Sequence, residues 1–203
     1  MQSETLDYCL VVGAEEVDWL LCDAYNEWRL LRPHPPIEPF SRPPRGMILS
    51  EGAGAVLLGR NGKVVIDRIS AGGDYPRQKN ASAWLRKIFR ELKPKESSSL
   101  LVASANGTFV DLAEFDAASA ELPDALIYSL KGALGESVGA SALWQTIAGA
   151  QALLTSTVPP SLHAATDRGL PVNRGDIGDV RSAIVSTCGL SQQVAGLRLH
   201  LEC

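Results

Sequence analysis

Two short stretches carry the residues able to do chemistry. SLKGALGES puts Lys131 and Glu136 five positions apart around Gly135, and SANGT ends on a glycine turn that exposes Asn106. An ammonium, a carboxylate and a carboxamide can shuttle protons or hold an oxygen-centred charge. Lys131 and Glu136 can also simply pair across the turn and clamp it. Both stretches follow apolar runs that read as strands, and strand ends converge in an α/β sheet.

Other chemistries find less support. Cys9, Cys22, Cys188 and Cys203 are widely spaced, as are His34, His163 and His200, so no metal-ligand spacing appears and no cofactor is expected. The cysteines read as reduced, cytosolic thiols serving packing. Ser104, Ser129 and Ser186 end strands but lack the elbow of a hydrolase nucleophile. Gly52-Ala-Gly54 lacks the third glycine and the acidic partner of a dinucleotide loop. A net charge of −4 without a Lys/Arg stripe argues against nucleic acid. No apolar run is long enough for a membrane span, and MQSETLDYC does not read as a secretory signal.

With 45% hydrophobic and 21% charged residues the composition is globular, and the pattern alternates strands with helices. Leu6–Ala14 reads as a buried strand and residues 15–31 as a helix with Val17, Leu20, Leu21, Tyr25, Trp28 and Leu31 at helical spacing. A proline-rich crossing follows near residues 33–44. GMILSEGAGAVLLGR is a strand about a glycine bend, and NGK a hairpin-like turn into VVIDRIS. ASAWLRKIFRELK is an amphipathic helix with Trp84, Ile88, Phe89 and Leu92 on one face. SLLVASANGT is a strand, FVDLAEFDAASAEL a helix and ALIYSLK a strand. A long small-residue helix then precedes two closing strands, SAIVSTCG and VAGLRLHLE.

The motif order resembles that of the β-ketoacyl synthases, condensing enzymes of the thiolase superfamily. EPFSRPPRGMILSEGAGAVLL, SANGT with the following DLAE (Asp111–Glu114), SLKGALGESVGASALWQTIAGAQALL, TVPPSLH and STCGLSQQVAGLRLHLE match that family's C-terminal part in sequence order. The resemblance implies an α/β, thiolase-like αβαβα layered fold with mixed sheets covered by helices. It further implies an incomplete N-terminal half: residues 1–60 as its remnant and 61–203 as the C-terminal half. Acyl-thioester chemistry on a carrier protein comes with the family.

The departures shape the functional expectation. The family's acyl-accepting cysteine belongs to an element ahead of the strand at Leu6, and none of the four cysteines stands in its place. Its two histidines fall on Asn106 and Glu136, while its lysine is kept as Lys131; the resemblance implies that these three, at two strand ends and the following helix start, meet at one face. The loop between SANGT and Asp111 is three residues shorter. Leu190, Ser191 and Gln192 replace an aromatic and glycines in the last turn, which should leave it stiffer.

Claisen condensation needs a thiolate and two neutral donors around an enolate oxygen, each donor worth about 2.7–4 kcal/mol. Asn106 could still donate from its amide. An ionised Glu136 offers no donor and repels the enolate by about 4 kcal/mol at 4 Å and an effective dielectric of 20. A glutamate at the surface, solvated or paired with Lys131, is the expected state.

By resemblance, then, this is a non-catalytic, cytoplasmic subunit of the chain-length-factor type. It would pair with a condensing-enzyme partner in fatty acid or polyketide synthesis, with acyl carrier protein as a second candidate partner. The alternative is an acyltransferase (3-oxoacyl carrier-protein synthase) whose cysteine comes from another chain. A sheet starting at Leu6 would leave edges and an apolar face for that partner to cover.

Overall fold

A computed structural model describes residues 6–94, 99–165, 169, 171 and 180–202; Cys203 lies outside them. The described residues form seven strands and five α-helices, in the order β1 (Tyr8–Glu15), α1 (Trp19–Glu27), β2 (Gly52–Gly59), β3 (Val64–Asp74), α2 (Ala81–Leu92), β4 (Leu100–Val102), α3 (Phe109–Glu121), β5 (Leu126–Tyr128), α4 (Lys131–Leu134), α5 (Ser141–Thr155), β6 (Ser182–Cys188) and β7 (Gln193–Leu201).

The main sheet is mixed, in the order β3-β7-β6-β4-β5. β4 lies parallel to both β5 and β6, and β7 runs antiparallel to β6 and β3. β4, between β6 and β5, is apolar and buried throughout because both faces of the sheet are covered there. On one face Leu101 and Ile184 pack with Leu85, Ile88 and Phe89 of α2 and with Val110, Ala113 and Ala117 of α3. On the other, Leu100, Val102, Val185 and Leu199 meet Ala152 and Leu153 of α5.

The far side of α5 carries the second sheet, β1 and β2 paired antiparallel from Tyr8–Gly59 to Glu15–Gly52. Small residues let this sheet approach: a Cβ on Gly52 would collide with the Trp144 ring, and Gly54 also abuts Leu143 and Trp144. The Trp144 indole N–H donates to the Ala53 carbonyl at 3.0 Å. The layers therefore run helix, sheet, helix, sheet, with α5 in the middle.

Four expectations need correction. β1 is not a buried strand: Tyr8, Leu10 and Val12 are 62–68% exposed, because only its opposite face meets α5. The NGK turn closes no hairpin, since β2 pairs with β1 and β3 with β7, in different sheets. A local turn fixes direction, whereas pairing follows which apolar faces find cover. The helix after β1 is shorter than residues 15–31: Asp18 caps it by accepting the Leu21 N–H at 2.8 Å, and Arg29 at φ +55° ends it. The long helix after Lys131 is two, α4 and α5, separated at Gly135, whose φ of +80° suits glycine.

Candidate functional site

The residues at the ends of β4 and β5 are held by carboxylates. Asp111, in the first turn of α3, accepts the Asn106 N–H at 2.7 Å, the Gly107 N–H at 2.9 Å and the Phe40 N–H at 2.6 Å. Glu114, one turn on, accepts the Ser104 N–H at 3.0 Å and the Ala105 N–H at 2.8 Å. Both side chains are fully buried. Four successive backbone donors, Ser104 through Gly107, are thereby satisfied and the Asn106 side chain is fixed in direction. Burial pushes Glu114 up to about 7, against the pull of those backbone donors. DLAE was legible as a motif; its caging role follows from the i, i+3 spacing that puts Asp111 and Glu114 on one helix face.

Glu136 reaches the same place by another route. Gly135 turns the chain out of α4, and residue 136 is extended, with its N–H donating to the Ile48 carbonyl and its own carbonyl accepting from Ser50 N, both at 2.9 Å. It does not stand at the helix mouth: α5 begins only at Ser141. Nor is it a surface residue, being 8% exposed. The bridge to the 48–50 segment draws it inward, where its carboxylate meets three donors. Lys131 Nζ lies 2.5 Å from Oε1, the Ser141 hydroxyl donates to Oε1 at 2.9 Å, and Asn106 Nδ2 donates to Oε2 at 2.7 Å. Lys131 is 1% exposed. Asn106, Lys131 and Glu136 thus form one hydrogen-bonded cluster, with Ser141 as a member that the sequence did not point to.

This geometry removes a donor that the sequence had left open. The Asn106 Oδ1 accepts from both the Thr108 N–H and its hydroxyl, at 3.2 and 2.7 Å, which fixes the amide orientation. Its Nδ2 is committed to Glu136, with Met47 Sδ at 3.9 Å on the other side. An enolate oxygen could take the N–H bonded to Glu136 only by breaking the bond to a carboxylate, while the second N–H faces Met47 Sδ. Charge-assisted hydrogen bonds are the strong ones, so the exchange is unfavourable.

Beside the cluster is a cavity of about 150 Å³, lined among others by Tyr25, Ser104, Lys131, Gln145, Cys188 and Leu190. Leu190, expected to stiffen the last turn, forms part of its wall. Gln145 spans the strands behind it, its amide donating to Ala103 O at 2.9 Å and Ser186 O at 2.8 Å. Cys188 is the cysteine on this wall. Burial, and then the charge of Glu114, push its thiol up to about 12, so it stays protonated at neutral pH and is no thiolate nucleophile. Cys9 and Cys22 sit on β1 and α1. Among the described residues no group of His, Cys, Asp and Glu is arranged to hold a metal ion.

The comparisons with known proteins fit this frame. The family model described as "Beta-ketoacyl synthase, N-terminal domain" matches residues 1–63. The ishigamide ketosynthase/chain length factor superposes with a TM-score of 0.76 at 22% identity, over 98% of this chain and 55% of that one. A β-ketoacyl synthase from Burkholderia phymatum gives a TM-score of 0.82 at 16% identity, over 98% and 56%. The chain has the ketosynthase fold. A type II polyketide synthase acyl-carrier protein in complex with its ketosynthase, bound to the hexaketide, matches over 95% of this chain and 56% of that one, with a TM-score of 0.79 at 16% identity. The chain spans about half the length of these ketosynthases. No curated protein sequence matches it. No helix among the described residues is long and apolar enough to cross a membrane.

Proposed function

We propose that the chain is a non-catalytic β-ketoacyl synthase-like subunit of the chain-length-factor type, pairing with a condensing-enzyme partner in polyketide or fatty acid synthesis. The observation that carries this reading is the closed cluster of Lys131, Glu136, Asn106 and Ser141. At the two positions where the family resemblance expects neutral donors, one residue is a carboxylate and the other is spent on it. A developing enolate beside Glu136 meets a carboxylate and an amide already bonded to it.

The domain reading goes with it: residues 1–60 belong to the N-terminal half of the fold and 61–203 to the C-terminal half. Likeness to the ishigamide ketosynthase/chain length factor and to a ketosynthase in complex with its acyl-carrier protein supports a condensing enzyme as partner and an acyl carrier protein as second partner. The site of action in this reading is the cytoplasm.

A second reading is favoured by the cavity. Lys131 lines it while buried, and its ammonium has N–H groups beyond the one aimed at Glu136. A thioester carbonyl entering from another chain that carries the cysteine would find a donor there, giving an acyltransferase with a composite site. The two readings separate on co-expression with a cysteine-bearing condensing enzyme. If Lys131→Met in this chain leaves the complex intact and its turnover unchanged, the subunit reading holds; if it abolishes turnover without dissociating the complex, the composite site does.

A further inference from the structure

Glu136 holds an amine and a carboxamide on one carboxyl group. Lys131 Nζ lies 2.5 Å from Oε1 and Asn106 Nδ2 lies 2.7 Å from Oε2, so the two nitrogens sit side by side on the same side chain. Both Lys131 and Asn106 are buried, and among the described residues the ammonium bonds Glu136 alone. A buried ammonium with one acceptor for its three donors is held at a cost, and a reaction that discharges it relieves that cost.

The carbonyl end of the same carboxamide is prepared as well. Asn106 Oδ1 accepts from the Thr108 N–H at 3.2 Å and from the Thr108 hydroxyl at 2.7 Å. Two fixed donors on one carbonyl oxygen are the arrangement that stabilises an oxyanion when the acyl carbon is attacked. The competing reaction at an Asn-Gly step is attack by the following backbone nitrogen. Here the Gly107 N–H is donated to Asp111 at 2.9 Å, and the carboxamide is turned to Glu136 instead.

We propose that Lys131 and Asn106 join in an intramolecular isopeptide bond, with Glu136 as the proton carrier. A proton passes from the Lys131 ammonium to Glu136 Oε1, and the freed amine attacks Asn106 Cγ while Thr108 holds the oxygen. Glu136 then gives its proton to Nδ2 and takes a second one from Nζ. The Cγ–Nδ2 bond breaks, and ammonia leaves into the adjoining cavity, whose wall includes Lys131 and Glu136. An ammonium, a carboxylate and a carboxamide thus become a secondary amide, a carboxylic acid and ammonia, with atoms and charge balanced and no co-reactant needed. The bond ties the turn after β4 to the start of α4 and closes a loop that holds α3 and β5. Until it forms, the ion pair described above holds the site. Afterwards neither an amine nor a primary carboxamide remains there, so the proposal goes beyond the subunit reading and does not depend on it.

The test is the intact mass of the purified 203-residue chain, followed from purification over several days at neutral pH, folded and in urea. The folded chain is expected to lose the mass of one ammonia, about 17 Da. Proteolysis and tandem mass spectrometry should then find the Asn106 and Lys131 peptides joined in the folded sample and separate in the urea sample. Lys131→Arg keeps the cation, lacks the nucleophile and should keep its full mass. Glu136→Gln keeps both reacting groups and should convert at least about a hundredfold more slowly, the low end of what general acid–base catalysis contributes. Circular dichroism checks that both variants fold, and the joined peptides of the wild type decide the question without them. An unchanged mass in the folded wild type, peptides that stay separate, or the same loss persisting in Lys131→Arg overturns the proposal, the last by showing cyclisation at Gly107 instead.

Discussion

Removing the Glu136 carboxylate should be expensive, and the structure says why. Lys131 is 1% exposed, and its recorded partner is the Glu136 Oε1 at 2.5 Å. Glu136→Ala leaves a buried ammonium without its counter-charge and strips Asn106 Nδ2 of its acceptor. Breaking one side of such a pair costs about 3–5 kcal/mol. For a chain of this size about 1 kcal/mol moves Tm by about 2–4 °C, so a fall of about 6–20 °C is expected. Lys131→Met combined with Glu136→Leu replaces both charges with apolar groups and should recover most of the loss. Thermal and urea unfolding of Lys131→Met, of Glu136→Leu and of the double give the coupling energy directly. A Glu136→Ala cost below about 1 kcal/mol, or a double variant whose cost is the plain sum of the singles, would refute the closed-pair argument.

Further expectations concern the neighbouring groups. Glu114 ionises from about 4.5 in the unfolded chain and from about 7 when folded, because burial disfavours its charge. Between those pH values the folded chain keeps a proton that the unfolded chain has lost. Glu114's contribution to stability is therefore fully present below about pH 4.5, falls as pH rises, and levels off above about 7. The change is of order 3 kcal/mol, and urea unfolding across this range should show that slope in the wild type and lose it in Glu114→Gln. Cys188, with its thiol pushed up to about 12, should resist iodoacetamide at pH 8 in the folded protein and label readily in urea, as mass spectrometry of the alkylated peptide will show. Gly135→Ala forces a Cβ into the left-handed region and against the Ser50 side chain, which should cost about 1–2 kcal/mol by thermal unfolding.

The meeting of Asn106, Lys131 and Glu136 was readable because the family resemblance singled out these three, and strand ends in an α/β sheet converge. Strands β4 to β7 and helices α2 and α3 followed from apolar runs and helical spacing, which local physics enforces. The burial of Glu136 was not readable. A glutamate after a glycine looks like a surface residue until the bridge to residues 48–50, nearly ninety positions back, pulls it under. The commitment of the Asn106 amide has the same origin, since a carboxamide's free donors depend on partners distant in sequence. β1 misled in the opposite sense: LDYCLVV is apolar whether its outward face is covered or bare, so pattern alone could not tell the two apart. The hairpin at NGK failed because turn chemistry specifies a bend, while β3 found its partner in β7 at the other end of the chain.

The central claim is that a carboxylate locked to Lys131 and Asn106 cannot support an enolate. The most direct measurement follows carbon dioxide released from radiolabelled malonyl carrier protein by the purified 203-residue chain, with and without an acyl acceptor. The account predicts release no faster than the protein-free background and no elongated product. Turnover by the chain alone, abolished by Glu136→Ala or Asn106→Ala, would contradict it.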